Sequence, residues 1–250
     1  MITYDFEGQY LYSESVAEGT IRNSNQALLA DDNRLLLYNM MDNKDNMAYS
    51  LIDLESYDLI GKYFSYAPIS LNNYFYSFSS HPMTKSDEGV DFILPLCDTI
   101  FNYTSSSFTP KYIVETPREM ASKTQIKRNT SSYSSDVYHL AENGYFTGFK
   151  SIHETNSKIL LTYEHEGLAL GYFLFDKSSH EGYCYLYTND ENVEMMPFLY
   201  TIYAYDNYFV GVEKPEALSY LRNVKNEQFQ NILKEMKEDD NPCLFIYKME

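Results

Sequence analysis

The stretch from Ala30 to Asn39, ADDNRLLLYN, consists of a polar turn followed by an apolar strand, and the same pattern returns twice later in the chain. The two other copies are ETNSKILLTY, from Glu154 to Tyr163, and AYDNYFVGVE, from Ala204 to Glu213. Asn and Asp favour tight turns because their side chains bond to the local backbone. Each copy therefore predicts a β-hairpin, in which a strand, a turn and a second strand follow one another.

The spacing of the copies predicts a repeated unit. The second copy begins 124 residues after the first, and the third begins 50 residues after the second. This spacing suits a unit of about 50 to 60 residues, with one divergent unit inside the longer gap. Four short β-rich runs lie in that gap, at Tyr74 to Ser80, Val90 to Pro95, Asp98 to Tyr103 and Pro110 to Glu115. We therefore expect four strands in each unit.

Repeated units of four antiparallel strands are typical of β-propeller blades, each of which buries its faces against its neighbours. A β-sandwich is the main alternative, but it would not need a periodic motif. We predict an all-β propeller of about four to five blades in one domain, residues 1–250, with a partial blade at 1–15 and units at 26–66, 72–116, 137–188 and 198–250. The last unit is one strand short, and we expect the opening hairpin, Ile2 to Phe6 and Gln9 to Ser13, to supply that strand.

One segment near the C-terminus predicts a short amphipathic helix. The run NEQFQNILKEMKEDDNP begins at Asn226 and places Phe229, Ile232, Leu233 and Met236 on one helical face. Asn226 is a suitable N-cap, and Pro242 would stop the helix. We expect this apolar stripe to pack on a blade.

Composition and motifs exclude several function classes. The chain has 36 acidic and 19 basic residues, a net charge of −17, which argues against a nucleic-acid partner. Its longest apolar run, Leu168 to Phe175, is far too short to be a transmembrane segment. The five histidines and three cysteines lack metal-ligand spacing, and no nucleotide-binding or nucleophile motif is present. We therefore predict no catalytic residue, no metal and no cofactor.

The loops between blades, and those between the second and third strands of each blade, gather on one face of a propeller, where ligands usually bind. From this position in the chain we select three candidate ligand-binding residues, Arg118, His165 and Glu166. The loops are 40–47, 66–73, 116–136, 164–167, 188–197 and 214–226.

Two stretches carry a resemblance to a known family: CDTIFNYTSSSFTPKYIVE, from Cys97 to Glu115, and EDDNPCLFIYKM, from Glu238 to Met249, which follows the predicted helix. Together they resemble a family of gut-bacterial six-bladed β-propellers. The resemblance covers nearly the whole chain and corresponds to the later two thirds of a typical member. It implies that this chain forms part of an incomplete six-bladed ring. Members carry a lipoprotein-type signal, so the resemblance also implies an extracytoplasmic location, although Met1 opens no signal peptide here.

The repeat fold without catalytic motifs favours a non-enzymatic binding or scaffold propeller, whose ligand would be a glycan or a protein. The alternative is a hydrolase or lyase with acidic and histidine side chains lining the channel, an analogy that rests on fold alone. A third hypothesis is a fragment with no activity of its own, because a missing blade would leave a sheet edge exposed.

Overall fold

The computed structural model of the protein describes residues 2–4, 7–13, 24–39, 47–65, 81–104, 107–116, 118–121, 140–165, 169–186, 201–218, 227–237 and 239–249. Among these residues 17 strands form, and helix is confined to two short segments and one turn at 140–142. The predicted all-β class is therefore confirmed.

The strands form three sheets of four antiparallel strands, one sheet of three, and one hairpin. The hairpin is β1 (Ile2–Tyr4) and β2 (Tyr10–Ser13). The first blade is β3 (Ser24–Asp31), β4 (Arg34–Asn39), β5 (Met47–Asp53) and β6 (Leu59–Ser65). The second is β7 (Met83–Ser86), β8 (Gly89–Ile93), β9 (Thr99–Thr104) and β10 (Ser107–Ile113). The third is β11 (Phe149–Glu154), β12 (Lys158–His165), β13 (Ala169–Asp176) and β14 (Glu181–Leu186). The fourth is β15 (Thr201–Tyr205), β16 (Tyr208–Glu213) and β17 (Cys243–Lys248).

The four blades follow one another as in a β-propeller. The first strand of each blade lies beside the first strand of the next, since β3 contacts β7, β7 contacts β11, and β11 contacts β15. A parallel bridge between His81 and Ser151 joins the second and third blades at these inner strands. The predicted propeller is thus confirmed, with four blades in the described residues.

Apolar side chains fill each junction between blades. Tyr49 of the first blade and Phe92 of the second are both fully buried, with ring centroids 4.7 Å apart. The junction of the second and third blades buries Ile93 and Ile100 against Ile159. Leu160 and Phe209 pack between the third and fourth blades. Because the side chains of a strand alternate between its two faces, every central strand supplies residues to both neighbouring junctions.

Two helices cover one face of the fourth blade. They are α1 (Pro215–Leu218) and α2 (Glu227–Glu235). Buried Leu218 and Phe229 pack against Cys243 and Phe245 of β17. The predicted amphipathic helix is therefore present and rests on a blade, as expected.

Three details of the sequence prediction need correction. The strand that pairs with β8 is Met83–Ser86, which the sequence reading missed, whereas the predicted strand at 74–80 lies outside the described residues. The predicted loop at 164–167 overlaps β12, which extends to His165 and pairs that residue with Ala169. In the described residues β1 pairs with β2, and neither was found to complete the fourth blade.

Candidate functional site between the second and third blades

Four charged side chains meet where the second and third blades pack, and we call them the charged cluster: Asp91 on β8, Lys111 on β10, Glu154 at the end of β11, and Lys177 just after β13. The Lys111 ammonium lies 2.7 Å from Asp91 Oδ2 and 3.5 Å from Glu154 Oε1, so it bridges the two blades. Lys177 binds the same oxygen of Glu154. The side chains of Asp91 and Glu154 are only 0% and 3% exposed.

The repeat explains why these carboxylates are unusual. Aligned on the hairpin turns, Asp91 occupies the position of Leu36 in the first blade, Leu160 in the third and Val210 in the fourth. This position faces the following blade, and elsewhere it is apolar. Burying a charge there costs free energy unless hydrogen bonds and opposite charges compensate.

Glu154 departs from the repeat in the same way. In the two other copies of the hairpin motif its position holds alanine, Ala30 and Ala204. At the junction of the third and fourth blades, Leu160 and Ala204 belong to one apolar cluster. At the junction of the second and third blades, Asp91 and Glu154 replace that pair of residues. Two carboxyl groups therefore stand where the junction of the third and fourth blades has an apolar contact, while the junction of the first and second blades has Leu36 and Lys85 at these positions.

Hydrogen bonds hold both carboxyl groups in place. Asp91 Oδ1 accepts hydrogen bonds from the Asn102 amide and the Ser86 hydroxyl. The backbone N–H of Glu154 donates to the Thr84 hydroxyl of the second blade, at 3.2 Å. Glu154 Oε2 accepts no hydrogen bond within the part of the chain that the structure describes.

The pKa values of the two carboxyl groups are shifted in opposite directions. Burial raises the pKa of Glu154 to about 8, and a hydrogen bond with Asp91 and the charge of that carboxylate add to the rise. Burial would also raise the pKa of Asp91, but hydrogen bonds with Glu154 and Lys111 outweigh it and lower that pKa. The pKa values of the two carboxyl groups are thus displaced in opposite directions, as expected for a buried pair that titrates as a coupled unit.

Two histidines lie beside the charged cluster on the inner strands. The ring centroids of His81 and His153 are 5.3 Å apart, and His153 is 3% exposed. Burial, and secondly the charge of His81, lower the pKa of His153 to about 3, while burial also lowers the pKa of His81. Both rings are thus neutral at pH 7. Among the described residues no group of three His, Cys, Asp or Glu side chains could hold a metal ion.

A groove of about 800 Å³ opens at the same end of the propeller, between the first and second blades. Its walls are the hairpin turn that joins β3 to β4 and the turn that joins β7 to β8. Five carboxylates and two cations line it: Asp31, Asp32, Asp53, Asp87, Glu88, Arg34 and Lys85. Arg34 binds Asp31 at 2.7 Å, and Lys85 donates to the backbone oxygen of Leu29. None of the lining residues is aromatic.

The residues predicted from loop position lie elsewhere. Arg118 donates weakly to the backbone oxygen of Ala141, at 3.5 Å. His165 ends β12 and Glu166 falls outside the described residues, so the structure shows neither side chain. His165 lies at the opposite end of β12 from the turn that precedes this strand. A ligand role for Arg118, His165 and Glu166 stays a prediction, because Arg118 is the only one of the three whose side chain the structure describes.

Sequence reasoning missed all four members of the charged cluster. A signal for Glu154 was present, because it begins the second copy of the hairpin motif where the other copies begin with alanine. Asp91 gave no comparable signal, since the second blade was the divergent unit and its hairpin could not be aligned. Lys111 and Lys177 were indistinguishable from surface lysines.

The described residues thus define a β-propeller with four blades and a charged cluster at the junction of the second and third blades. The sequence matches, over residues 1–248, the family described as "Domain of unknown function (DUF4934)", and the chain belongs to that family. No curated protein matches it.

A similar architecture is found among solved structures. It is the crystal structure of a "putative exported protein" from Bacteroides fragilis, with a TM-score of 0.74 and 17% identity, and the match covers 100% of this chain and 71% of that one. At this identity the likeness shows the fold alone. In the described residues of the present protein no helix has the length and apolar character that crossing a bilayer requires.

Proposed function

We propose that this protein is a non-enzymatic binding or scaffold propeller that works outside the cytoplasm, and that the groove between the first and second blades receives its partner. The groove is the observation that carries the proposal. Its volume, about 800 Å³, lies within the range of ligand sites in proteins. Both walls are hairpin turns fixed on rigid sheets, which is how binding residues are commonly presented.

The lining of the groove favours a protein partner over a glycan. Sugar-binding sites commonly stack the sugar on an aromatic ring, and no ring lines this groove. Carboxylates outnumber cations by five to two, so the groove attracts basic groups such as lysine and arginine side chains. Arg34 binds Asp31, and Lys85 binds the backbone oxygen of Leu29. The other carboxylates, Asp32, Asp87 and Glu88, lie at the rim of the groove.

Charge reversal at the rim tests this proposal. The probes are a lysine-rich and an arginine-rich synthetic peptide, a scrambled acidic peptide and a glycan array. We expect the wild type to bind a basic peptide, and D32K/E88K to lose at least tenfold in affinity. The matched control is E55K, an exposed acid on the β5–β6 turn outside the groove. Equal affinities for D32K/E88K and E55K, or binding to glycans alone, would refute the peptide site.

An enzyme, a hydrolase or lyase, is the second candidate function. The observation in its favour is that Asp91 and Glu154 have pKa values displaced in opposite directions, a division typical of acid and base roles. Their burial argues against it, because a substrate would have to displace Lys111 and Lys177. Screening a panel of glycosides and uronides for activity that E154Q abolishes would establish it, and a panel without turnover would remove it.

The six-bladed ring and the extracytoplasmic location are also part of the proposal. The match leaves 29% of the B. fragilis chain uncovered, which is room for further blades in that protein. The exported character given to the B. fragilis protein supports an extracytoplasmic site of action for this chain. Fractionating cells that express the native gene, followed by immunoblotting, tests the location. Recovery in the cytosolic fraction would contradict it.

A further inference from the structure

We propose that His81 and His153 form a two-histidine site for a divalent transition-metal ion of the zinc type, and that the bound ion ties the second blade to the third. The proposal goes beyond partner binding and does not depend on the groove. It rests on a buried ring nitrogen of His153, on the spacing of the two rings and on the backbone contacts that hold both residues.

The ring of His153 is held in the orientation that metal-binding histidines adopt. One ring nitrogen is hydrogen-bonded to the backbone of Thr201. The other, Nε2, is buried and makes no hydrogen bond within the part of the chain that the structure describes. Nδ1 is therefore the donor to Thr201, and Nε2 keeps its lone pair. Histidines that bind metals almost always donate their other ring N–H to a carbonyl or carboxylate oxygen in this way.

The burial of His153 makes this nitrogen a stronger indication of a ligand. The side chain is only 3% exposed, and a buried polar atom without a partner costs free energy. A metal ion bound to Nε2 removes that cost. Burial also lowers the pKa of His153, so the ring is in the neutral form that binds metals at pH 7.

The second ring lies at the distance that a shared ion requires. The ring centroids of His81 and His153 are 5.3 Å apart. With Zn–N bonds of about 2.0 to 2.1 Å and a tetrahedral angle, two imidazole rings on one zinc ion have centroids about 5.2 Å apart. Imidazole nitrogen suits Zn²⁺, Ni²⁺ and Cu²⁺, whereas Mg²⁺ and Ca²⁺ take oxygen ligands. The spacing therefore fits an ion of the zinc type.

Backbone contacts fix both histidines before any ion binds. A parallel bridge joins His81 to Ser151, and the Ile152 N–H donates to the His81 oxygen at 2.9 Å. His81 is half-buried, so an ion reaches the pair from solvent and water completes its coordination. No metal-ligand spacing marks this site in the sequence, because His81 and His153 lie 72 residues apart and meet only across the blade junction.

Calorimetric titration of the full chain tests the site. The protein would be freed of its purification tag, stripped with EDTA, dialysed and titrated at pH 7.5 with zinc chloride or magnesium chloride. We expect one Zn²⁺ to bind each chain at least tenfold more tightly than Mg²⁺. Zinc at ten times its dissociation constant should raise the melting temperature by roughly 3 to 6 °C, because it binds only the folded protein. The electron paramagnetic resonance spectrum of added Cu²⁺ should show two coordinating nitrogens.

Three variants separate this site from adventitious binding at surface carboxylates. H81Q and H153Q should each weaken zinc binding at least tenfold, and H81Q should reduce the coordinating nitrogens to one. The control is H180N, which removes an exposed histidine at a positive φ that asparagine tolerates, and it should bind zinc like the wild type. Equal zinc affinity in the wild type and H81Q, equal affinity for Zn²⁺ and Mg²⁺, or no zinc binding at all would overturn the proposal. H81Q decides even if H153Q fails to fold, because His81 is half-buried.

Discussion

The hydroxyl of Tyr49 offers a sharp test of how the first two blades are joined. Tyr49 is fully buried on β5, and its hydroxyl donates to the backbone oxygen of Ile93 in the second blade at 2.7 Å. Its ring packs on Phe92, with centroids 4.7 Å apart. Tyr49→Phe keeps this ring packing and removes only the hydroxyl. The effect of the substitution therefore isolates the contribution of this hydroxyl, whose second and longer contact is to the Pro82 backbone oxygen at 3.5 Å.

The structure allows the size of the effect to be worked out. A buried neutral hydrogen bond contributes about 1 kcal/mol, and leaving its acceptor unsatisfied brings the cost to about 1 to 3 kcal/mol. In a domain of this size each kcal/mol lowers the melting temperature by about 2 to 4 °C. We thus expect Tyr49→Phe to melt at least a few degrees below the wild type. Burial raises the pKa of Tyr49 well above its ordinary value, so the donor stays protonated throughout the assay.

Tyr183→Phe is the matched control for this substitution. Tyr183 also donates a hydrogen bond of 2.7 Å, to Glu181, but its side chain is 48% exposed. Water replaces that bond, so the free energy of unfolding should change by less than about 0.5 kcal/mol. Urea denaturation of both variants supplies the comparison. Equal losses in Tyr49→Phe and Tyr183→Phe would show that the bond to Ile93 does not stabilise the junction.

Three further substitutions probe the junctions, the turns and the histidine pair. Leu160→Ala should lower the free energy of unfolding, measured by urea denaturation, by about 2 to 5 kcal/mol, because Leu160 is fully buried. Ile246 is 63% exposed, so Ile246→Ala should lower it far less. Gly89→Ala should be much more destabilising than Gly144→Ala: both have positive φ, but only at Gly89 would the new Cβ meet a backbone oxygen, at 2.2 Å. The lowered pKa of His153, about 3, means that the unfolded chain binds a proton there between pH 6.5 and 3 and the folded protein does not. The free energy of unfolding should therefore decrease as the pH is lowered through that window, by up to about 1.4 kcal/mol per pH unit. His153→Gln should make this decrease smaller. An unchanged slope in His153→Gln would contradict the cause assigned to it.

The parts of the fold that were predictable from sequence are those with local causes. The turns at Asp32-Asn33, Asn156-Ser157 and Asp206-Asn207 carry their own turn chemistry, and the strands beside them are apolar enough to be recognised. The hairpins of the first, third and fourth blades were therefore found, with ends within a few residues of the observed ones. Strand Met83–Ser86 was missed because four residues, MTKS, show neither an apolar run nor a clear alternation. Its place in the sheet comes from pairing with β8, which is a tertiary constraint.

The candidate ligand residues were chosen from a rule about which face of a propeller binds ligands, and such a rule carries no information about side-chain contacts. Arg118 rests near Ala141, while the groove and the charged cluster lie at the other end of the blades. Whether Arg118, His165 and Glu166 bind a ligand stays a prediction. Testing it needs a ligand first, and the peptide and glycan probes of the groove supply that starting point.

The internal repeat predicts one member of the charged cluster but not the contacts between its members. An alignment of hairpins would mark Glu154 as an acid in an alanine column, but it cannot say which charge compensates the acid. The compensation comes from Lys111, 43 residues away in the chain and in a different blade. That proximity depends on the order of the blades and on the register of β10 against β9, which no local pattern encodes. A buried acid that would be costly within its own blade is thus compensated by a lysine of the neighbouring blade. For that reason a change of Asp91 or Glu154 should affect the stability of both blades. A double-mutant cycle on D91L and E154A should give a coupling energy above about 0.5 kcal/mol, as residues in contact do, and additive effects would mean that the two carboxyl groups do not interact.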